Sequence, residues 1–317
     1  MAVNYDKPER WKQDTLDSVD QYNSWFMAFA PSAFRTTRIE TTKHVEQAIL
    51  DSNNMLGLSP DLLRSHPGML PTLRMSCCPP LAVDRLVGLA YSDKNLIKKM
   101  EEGKLPKKMK QAALGLHLGR IMEVIRKLLD PDIFIWIPDR RTPTEAERYR
   151  ASTIVADRLS GARANPIIKN AQESRQLALI ECYLTGKGYR KKAHLSSGLL
   201  NTMEPGTFCF HFGVPTSKGA KKVSVSVDVL IQPHNPRPNK IPILIEAKSA
   251  GDFTNTNKRR KEEAQKANQL RATYGDDISY VVFLCGYFNA GYLGYEASEL
   301  IDWIWEHRIE DIDQLGI

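Results

Sequence analysis

Apolar residues recur at three- and four-residue spacing through the first half of the chain, and in short alternating or continuous runs through much of the second. The first period belongs to helices with one buried face, the second to strands. Residues 17–29 place Val19, Tyr22, Phe26 and Phe29 on one helical face. Residues 41–50 read as a second helix, ended by the polar cluster Asp51-Ser52-Asn53-Asn54. Four prolines between residues 65 and 80 mark an irregular stretch. Helices follow over 84–90 and 110–129, the latter with Ile121, Val124, Ile125 and Leu128 on its apolar face. Thr142-Pro143-Thr144-Glu145 offers an N-cap, a proline at the first helical position and a glutamate for a capping box. That helix is expected to reach Ser160 and stop at Gly161.

Beyond Gly161 the pattern changes. A long helix fits residues 166–185, with the Gly186/Gly188 pair ending it. Strands fit 207–212, 223–231 and 241–248, followed by a helix over 258–274, a buried strand over 280–288 and a closing helix over 296–307. The expected fold class is mixed α/β: a mostly helical region over 1–161, then a core over 162–317 with a central mixed sheet flanked by helices.

Charge adds a partner class. The 317-residue chain carries a net +7. Residues 262–317 hold three Lys or Arg against eleven Asp and Glu, a net −8, which leaves +15 on residues 1–261. A basic body of this kind points to a polyanion, with nucleic acid the foremost candidate. Nine Lys or Arg against three Glu fall between residues 98 and 127, with Lys107 and Lys108 in a predicted loop suited to phosphate contact or to plain solvation. No apolar run approaches the roughly 20 residues of a membrane helix, and the first residues lack a signal-peptide core, so a cytoplasmic location is expected. The five cysteines have no metal-ligand spacing.

The stretch 223–248 breaks the simple pattern. Two β-branched runs flank a Pro-rich loop, yet Asp228, Glu246 and Lys248 sit inside them. Charges are rarely buried unless paired or bound to metal. If an antiparallel hairpin sets Ile231 opposite Ile241, Asp228 faces Leu244 and Glu246 becomes its same-side diagonal neighbour, about 7 Å away. Two carboxylates with a backbone carbonyl, here that of Ala247, make an oxygen site suited to Mg2+. Lys248 on the same side could orient water or stabilise a pentavalent phosphorus centre. The plain alternative is a Glu–Lys ion pair at a strand end. The helix after the second strand opens with Lys258-Arg259-Arg260-Lys261, four cations where the helix dipole is already positive. An anion such as a DNA phosphate would relieve that repulsion, with Asn255 and Asn257 as further amide donors or, for Asn257, the helix cap.

This arrangement resembles the PD-(D/E)xK nuclease superfamily, with Val227 where a proline is frequent. More narrowly, the chain is similar to the XamI family of type II restriction endonucleases, through DSVDQYNSWF at 17–26, LRMSCCPPLAVDRLVGLA at 73–90, NAQESRQ at 170–176, IEAKSAGDFTNTNKRRK at 245–261 and YVVFLCGYFNAGYLGY at 280–295. The resemblance implies Mg2+ on Asp228 and Glu246, Lys248 as the catalytic lysine, and a further acid from the preceding helix, Glu173 or else Glu181. It also implies site-specific cleavage of double-stranded DNA, leaving 5′-phosphate ends, by a homodimer on a palindrome, with a cognate DNA methyltransferase protecting the host. A repair or junction-resolving nuclease on the same core, and a DNA-binding protein without catalysis, are the rival readings.

Overall fold

The computed structural model describes residues 2–193, 200, 203–218, 221–236, 241–254 and 256–317, and every side chain among them except those of residues 218, 221, 222, 257, 258 and 259. Two compact units form, one from Met1–Phe29 with Lys169–Ile317, the other from Ala30–Ile168.

The second unit is helical. It contains the later part of α1 (Trp11–Asp51), then α2 (Pro60–Ser65), α3 (Leu70–Met75), α4 (Val83–Leu89), α5 (Lys94–Glu101), α6 (Gln111–Leu128) and the first part of α7 (Glu145–Gly186). Leu63, Leu73, Ile121, Ile125 and Trp136 are fully buried in its core. Ser59 and Asp93 cap α2 and α5 by accepting the N–H groups of Leu62 and Leu96. The proline-rich stretch is more regular than expected, because Pro67 and Pro71 occupy first-turn positions of a 3-10 turn and of α3, where the missing N–H is not needed. Arg74, buried on α3, donates from Nε and Nη2 to the two carboxylate oxygens of Glu101 at 2.7 and 2.6 Å.

Two helix boundaries differ from the sequence expectation. α1 is one helix from Trp11 to Asp51, and α7 runs unbroken through Gly161 and Pro166. An interior proline disfavours a helix by about 3 kcal/mol and a glycine by about 1. Burial on both sides outweighs that: Val155 and Leu159 pack in one core, Leu177, Ile180 and Leu184 in another. The capping box of α7 also lies two residues later, with Glu147 accepting the Thr144 N–H and the Thr144 hydroxyl accepting the Glu147 N–H.

The first unit holds a six-stranded sheet in sequential order: β1 (Arg190–Lys191), β2 (Thr207–Lys218), β3 (Lys221–Gln232), β4 (Ile243–Ala250), β5 (Tyr280–Gly286) and β6 (Asp302–Trp305). β2, β3 and β4 pair antiparallel, while β1–β2, β4–β5 and β5–β6 are parallel. α8 (Thr256–Tyr274) connects β4 to β5 and α9 (Ala290–Ser298) connects β5 to β6. β5 is buried at every position, as a central parallel strand with both faces covered must be. The segment expected as a closing helix is instead the end of α9, then β6, then a 3-10 segment, Glu306–Leu315. Trp303 and Trp305 pack in one core and Ile304 in the other, a strand alternation that three consecutive apolar residues conceal.

One core lies on the α8 side, with Ala267 and Leu270, and the other on the α7 side, with Leu177, Ile180 and Leu184. β2 and β3 change faces together at one level. Val225 and Val227 belong to the α8-side core, but Val229 and Ile231 to the α7-side core; Phe212 and Val214 switch likewise relative to Phe208. The residues at the switch are Asp228 and, across the ladder between Phe210↔Val229 and Phe212↔Val227, His211. His211 has a left-handed backbone (φ 53°), which a side-chain-bearing residue rarely adopts outside turns or functional sites.

Candidate active site

The ladder between β3 and β4 comprises Val229↔Ile245, Leu230↔Leu244 and Ile231↔Ile243. This is two residues along from the expected register. A two-residue shift preserves side-chain parity, so Asp228 and Glu246 stay on a common face, and the next pair in this register would set them opposite each other rather than diagonal. The ladder ends just there. Asp228 Oδ2 accepts the Ala247 N–H at 2.8 Å, a side chain replacing a backbone acceptor where the strands part.

Glu246 is 4% exposed. Its Oε1 accepts from Lys248 Nζ at 2.7 Å and from Lys266 Nζ at 2.6 Å, and Lys266 also donates to the Ser226 carbonyl at 3.0 Å. Its Oε2 is buried with no hydrogen-bond partner among the described residues. Burial raises the Asp228 carboxyl above its ordinary pKa and the nearby Glu246 charge adds to this, against the pull of the Ala247 N–H and Lys248. Burial disfavours the Lys248 ammonium, but Glu246 more than compensates through charge and hydrogen bond, so its pKa is raised. Lys248 is therefore held as a cation beside Glu246 at neutral pH.

Glu173, on α7, meets this group from the side of His211: one donor atom each of Glu173, His211 and Asp228 lie within 4.8 Å of one another. Glu181, the other acid considered on this helix, is engaged with Lys191 at 2.7 Å on the surface. Beneath the lysines lies a second acidic pair, Glu263 of α8 and Glu296 of α9, each 1% exposed. Burial, then the neighbouring Glu263 charge, pushes Glu296 up to about 9, so it is protonated at neutral pH. Burial also raises Glu263, which accepts the Tyr292 hydroxyl.

Three contributors escaped the sequence reading. Lys266 has no motif to flag it. His211 has no partner spacing, and only its place across from Asp228 gives it meaning. Gln176, inside the NAQESRQ stretch, is buried and donates to the carbonyls of Lys248 and Phe283 at 3.3 and 3.4 Å, tying α7 to the backbone of β4 and β5.

The expected DNA contacts are placed unevenly. Lys258, Arg259, Arg260 and Lys261 all fall in the first turns of α8. Lys261 is exposed, and Arg260 lies over the Tyr295 ring at 4.7 Å. Asn255 lies outside the described residues. Asn257 is inside α8, which begins at Thr256, so it is not the helix cap; its side chain and those of Lys258 and Arg259 lie outside the described set. Lys107 and Lys108 are exposed between α5 and α6 in the helical unit. Among the described residues no helix is long and apolar enough to cross a membrane.

The donor set suits a divalent cation. Asp228 and Glu246 supply carboxylate oxygens, and the buried Oε2 of Glu246 has no hydrogen-bond partner among the described residues, as suits an acceptor facing a cation.

Comparison with known proteins identifies the family. The model of the XamI restriction endonuclease family matches residues 53–305. The type II restriction enzyme SalI of Streptomyces albus G is 54% identical over 314 residues, 99% of each chain. Among solved structures, protein VC1899 of Vibrio cholerae aligns at 12% identity and a TM-score of 0.28, over 86% of this chain and 55% of its own length, a likeness too loose to carry argument. The chain belongs to the XamI restriction endonuclease family and is a site-specific deoxyribonuclease.

Proposed function

We propose that this enzyme is a Mg2+-dependent type II restriction endonuclease of the PD-(D/E)xK kind, and that Asp228, Glu246 and Lys248 are its catalytic group. The observation that carries the reading is the fork between β3 and β4, where two carboxylates and a protonated lysine converge and Glu246 keeps one buried oxygen without a partner among the described residues. Asp228 and Glu246, with the Ala247 carbonyl, would hold the ion. A divalent ion held there makes bound water more acidic and offsets charge building on the phosphate. Lys248, kept cationic by Glu246, orients the attacking water or stabilises the pentavalent phosphorus centre. Glu173 adds a third carboxylate on the Asp228 side, with His211 beside it.

Cleavage in this reading leaves 5′-phosphate and 3′-hydroxyl ends at a short palindrome, cut by a homodimer with one active site per strand. Residues 1–161 serve base recognition, dimerisation or both, and residues 162–317 form the nuclease core. Asn255, Asn257, the Lys258–Lys261 cluster, Lys107 and Lys108 contact phosphates. The enzyme works in the cytoplasm, where a cognate methyltransferase protects host DNA.

The test is plasmid digestion by purified wild-type protein and by Asp228→Ala, Glu246→Ala and Lys248→Ala variants, each checked for an unchanged circular-dichroism spectrum. Discrete fragments from wild type, with run-off sequencing giving one site and one cut position, and none from the variants, support the reading. Full cleavage by Lys248→Ala would remove the mechanism. Nicking that depends on DNA structure would favour a repair or junction nuclease. Specific binding without cleavage in Mg2+ or Mn2+ would favour a non-catalytic protein.

A further inference from the structure

The ExK motif calls for one lysine, yet Glu246 is held by two. Lys266 comes from the middle of α8, and its ammonium touches the same Oε1 atom that Lys248 touches. It also caps the Ser226 carbonyl on β3, so it spans the two strands that carry the acidic pair. Lys266 is 29% exposed in its side chain and Glu246 only 5%. Without a metal, the buried Glu246 carboxylate is thus held by two ammonium groups, and its burial is made tolerable by the chain's own cations.

A divalent ion at Asp228 and Glu246 would bring two further positive charges to this spot. Lys248 is the more buried of the two amines and is fixed to β4 two residues from Glu246. Lys266 is more exposed, on a four-carbon stem from a helix, and is the one free to withdraw. Resting on the reading of the fork as the metal site, we propose that Lys266 is a built-in counter-cation of Glu246 that the metal must displace. It is a positioning residue: it holds the carboxylate in place in the metal-free enzyme and sets how tightly the metal binds.

The experiment uses Mn2+ as the probe, with full-length protein and no DNA, and reads affinity by titration calorimetry or by the electron paramagnetic resonance signal of free Mn2+. Lys266→Met is expected to bind Mn2+ more tightly than wild type, by about tenfold if the lost ion pair is worth about 1.4 kcal/mol. It is also expected to melt at a lower temperature without metal, since Glu246 loses a partner, and to recover on adding Mn2+. Lys266→Arg, which keeps the charge, should behave as wild type. A lysine that only tethers α8 would lower the melting temperature without tightening the metal. If Lys266→Met binds Mn2+ no more tightly than wild type while Asp228→Ala weakens binding, the displacement idea is overturned and the metal site stands. If Asp228→Ala leaves Mn2+ binding unchanged, the site itself is misplaced and the proposal falls with it.

Discussion

Replacing Asp228 with asparagine should make the metal-free protein more stable while removing its function. Asp228 is partly buried, and both burial and the Glu246 charge oppose its ionised form. Asparagine keeps the shape and an oxygen that can accept the Ala247 N–H, but carries no charge to repel Glu246. Relief of a strained functional group of this kind is worth about 1 kcal/mol, or roughly 2 °C in melting temperature for a protein of this size. The sign depends on pH. A carboxyl whose folded pKa is raised above its ordinary 3.8 begins to cost stability as the unfolded chain ionises around that value, and the cost is complete once the folded group has ionised too. The advantage of Asp228→Asn is therefore absent below that value, grows as pH rises from there to the folded pKa and is full above it. Urea melts in chelator at pH 8 and near pH 4 measure it directly. With Mn2+ present the order should invert, because ligand bound only to the native state stabilises wild type and not the variant. If Asp228→Asn is the less stable protein in chelator at pH 8, the two carboxylates do not repel one another across the fork and the electrostatic picture is wrong.

Two other outcomes follow from the same geometry. Glu173→Ala should lower the cleavage rate by at least about tenfold at saturating metal, in the range of lost electrostatic positioning, whereas Glu181→Ala, which breaks only a surface pair with Lys191, should cut at the wild-type rate; equal rates for the two would remove Glu173 from the site. Glu296→Gln should flatten the pH dependence of stability, because in wild type the folded state keeps a proton that the unfolded chain releases above about pH 4.5, so stability falls as pH rises toward 9. Denaturation midpoints of the two proteins at pH 5 and pH 8 check this, and a gap that does not widen at pH 8 refutes it.

How much of this was legible in the sequence depends on whether a residue announces itself by contradiction. Asp228, Glu246 and Lys248 did, because a charge inside a β-branched run conflicts with its neighbours. Glu173 could be placed only through the NAQESRQ resemblance, since a glutamate on a helix contradicts nothing. Lys266 was invisible for the same reason: α8 is polar at most positions, and one lysine among several says nothing about which carboxylate it will meet. The buried face of α1 was misassigned toward Phe26, which is exposed, because two residues that do go inside are polar. Asp14 is held by Arg308, and Ser18 accepts the Gly286 N–H, so hydrogen bonding rather than hydrophobicity buries them. β6 was missed because four buried residues in a row look alike as strand or helix, and only pairing with β5 decides between them.

The register shows why the hairpin reading survived an error in its detail. The loop length was misjudged by two residues, and a shift of two leaves every side chain on its face, whereas a shift of one would have sent Glu246 into the α7-side core with Ile245 and Ile243. What sequence parity could not supply is the change of face at His211 and Asp228. Alternation alone keeps Val225 and Val227 off the face of Leu230 and Leu244; with the left-handed residue at 211 both strands turn over at this level, and Val225 and Val227 join Leu230 and Leu244 in the α8-side core. The same departure from regular pairing leaves the Ala247 N–H to the Asp228 carboxylate instead of a β3 carbonyl. The irregularity therefore anchors one acid by a backbone hydrogen bond from the strand that carries the other. The acidic pair belongs to the break in the sheet, where the strands stop pairing.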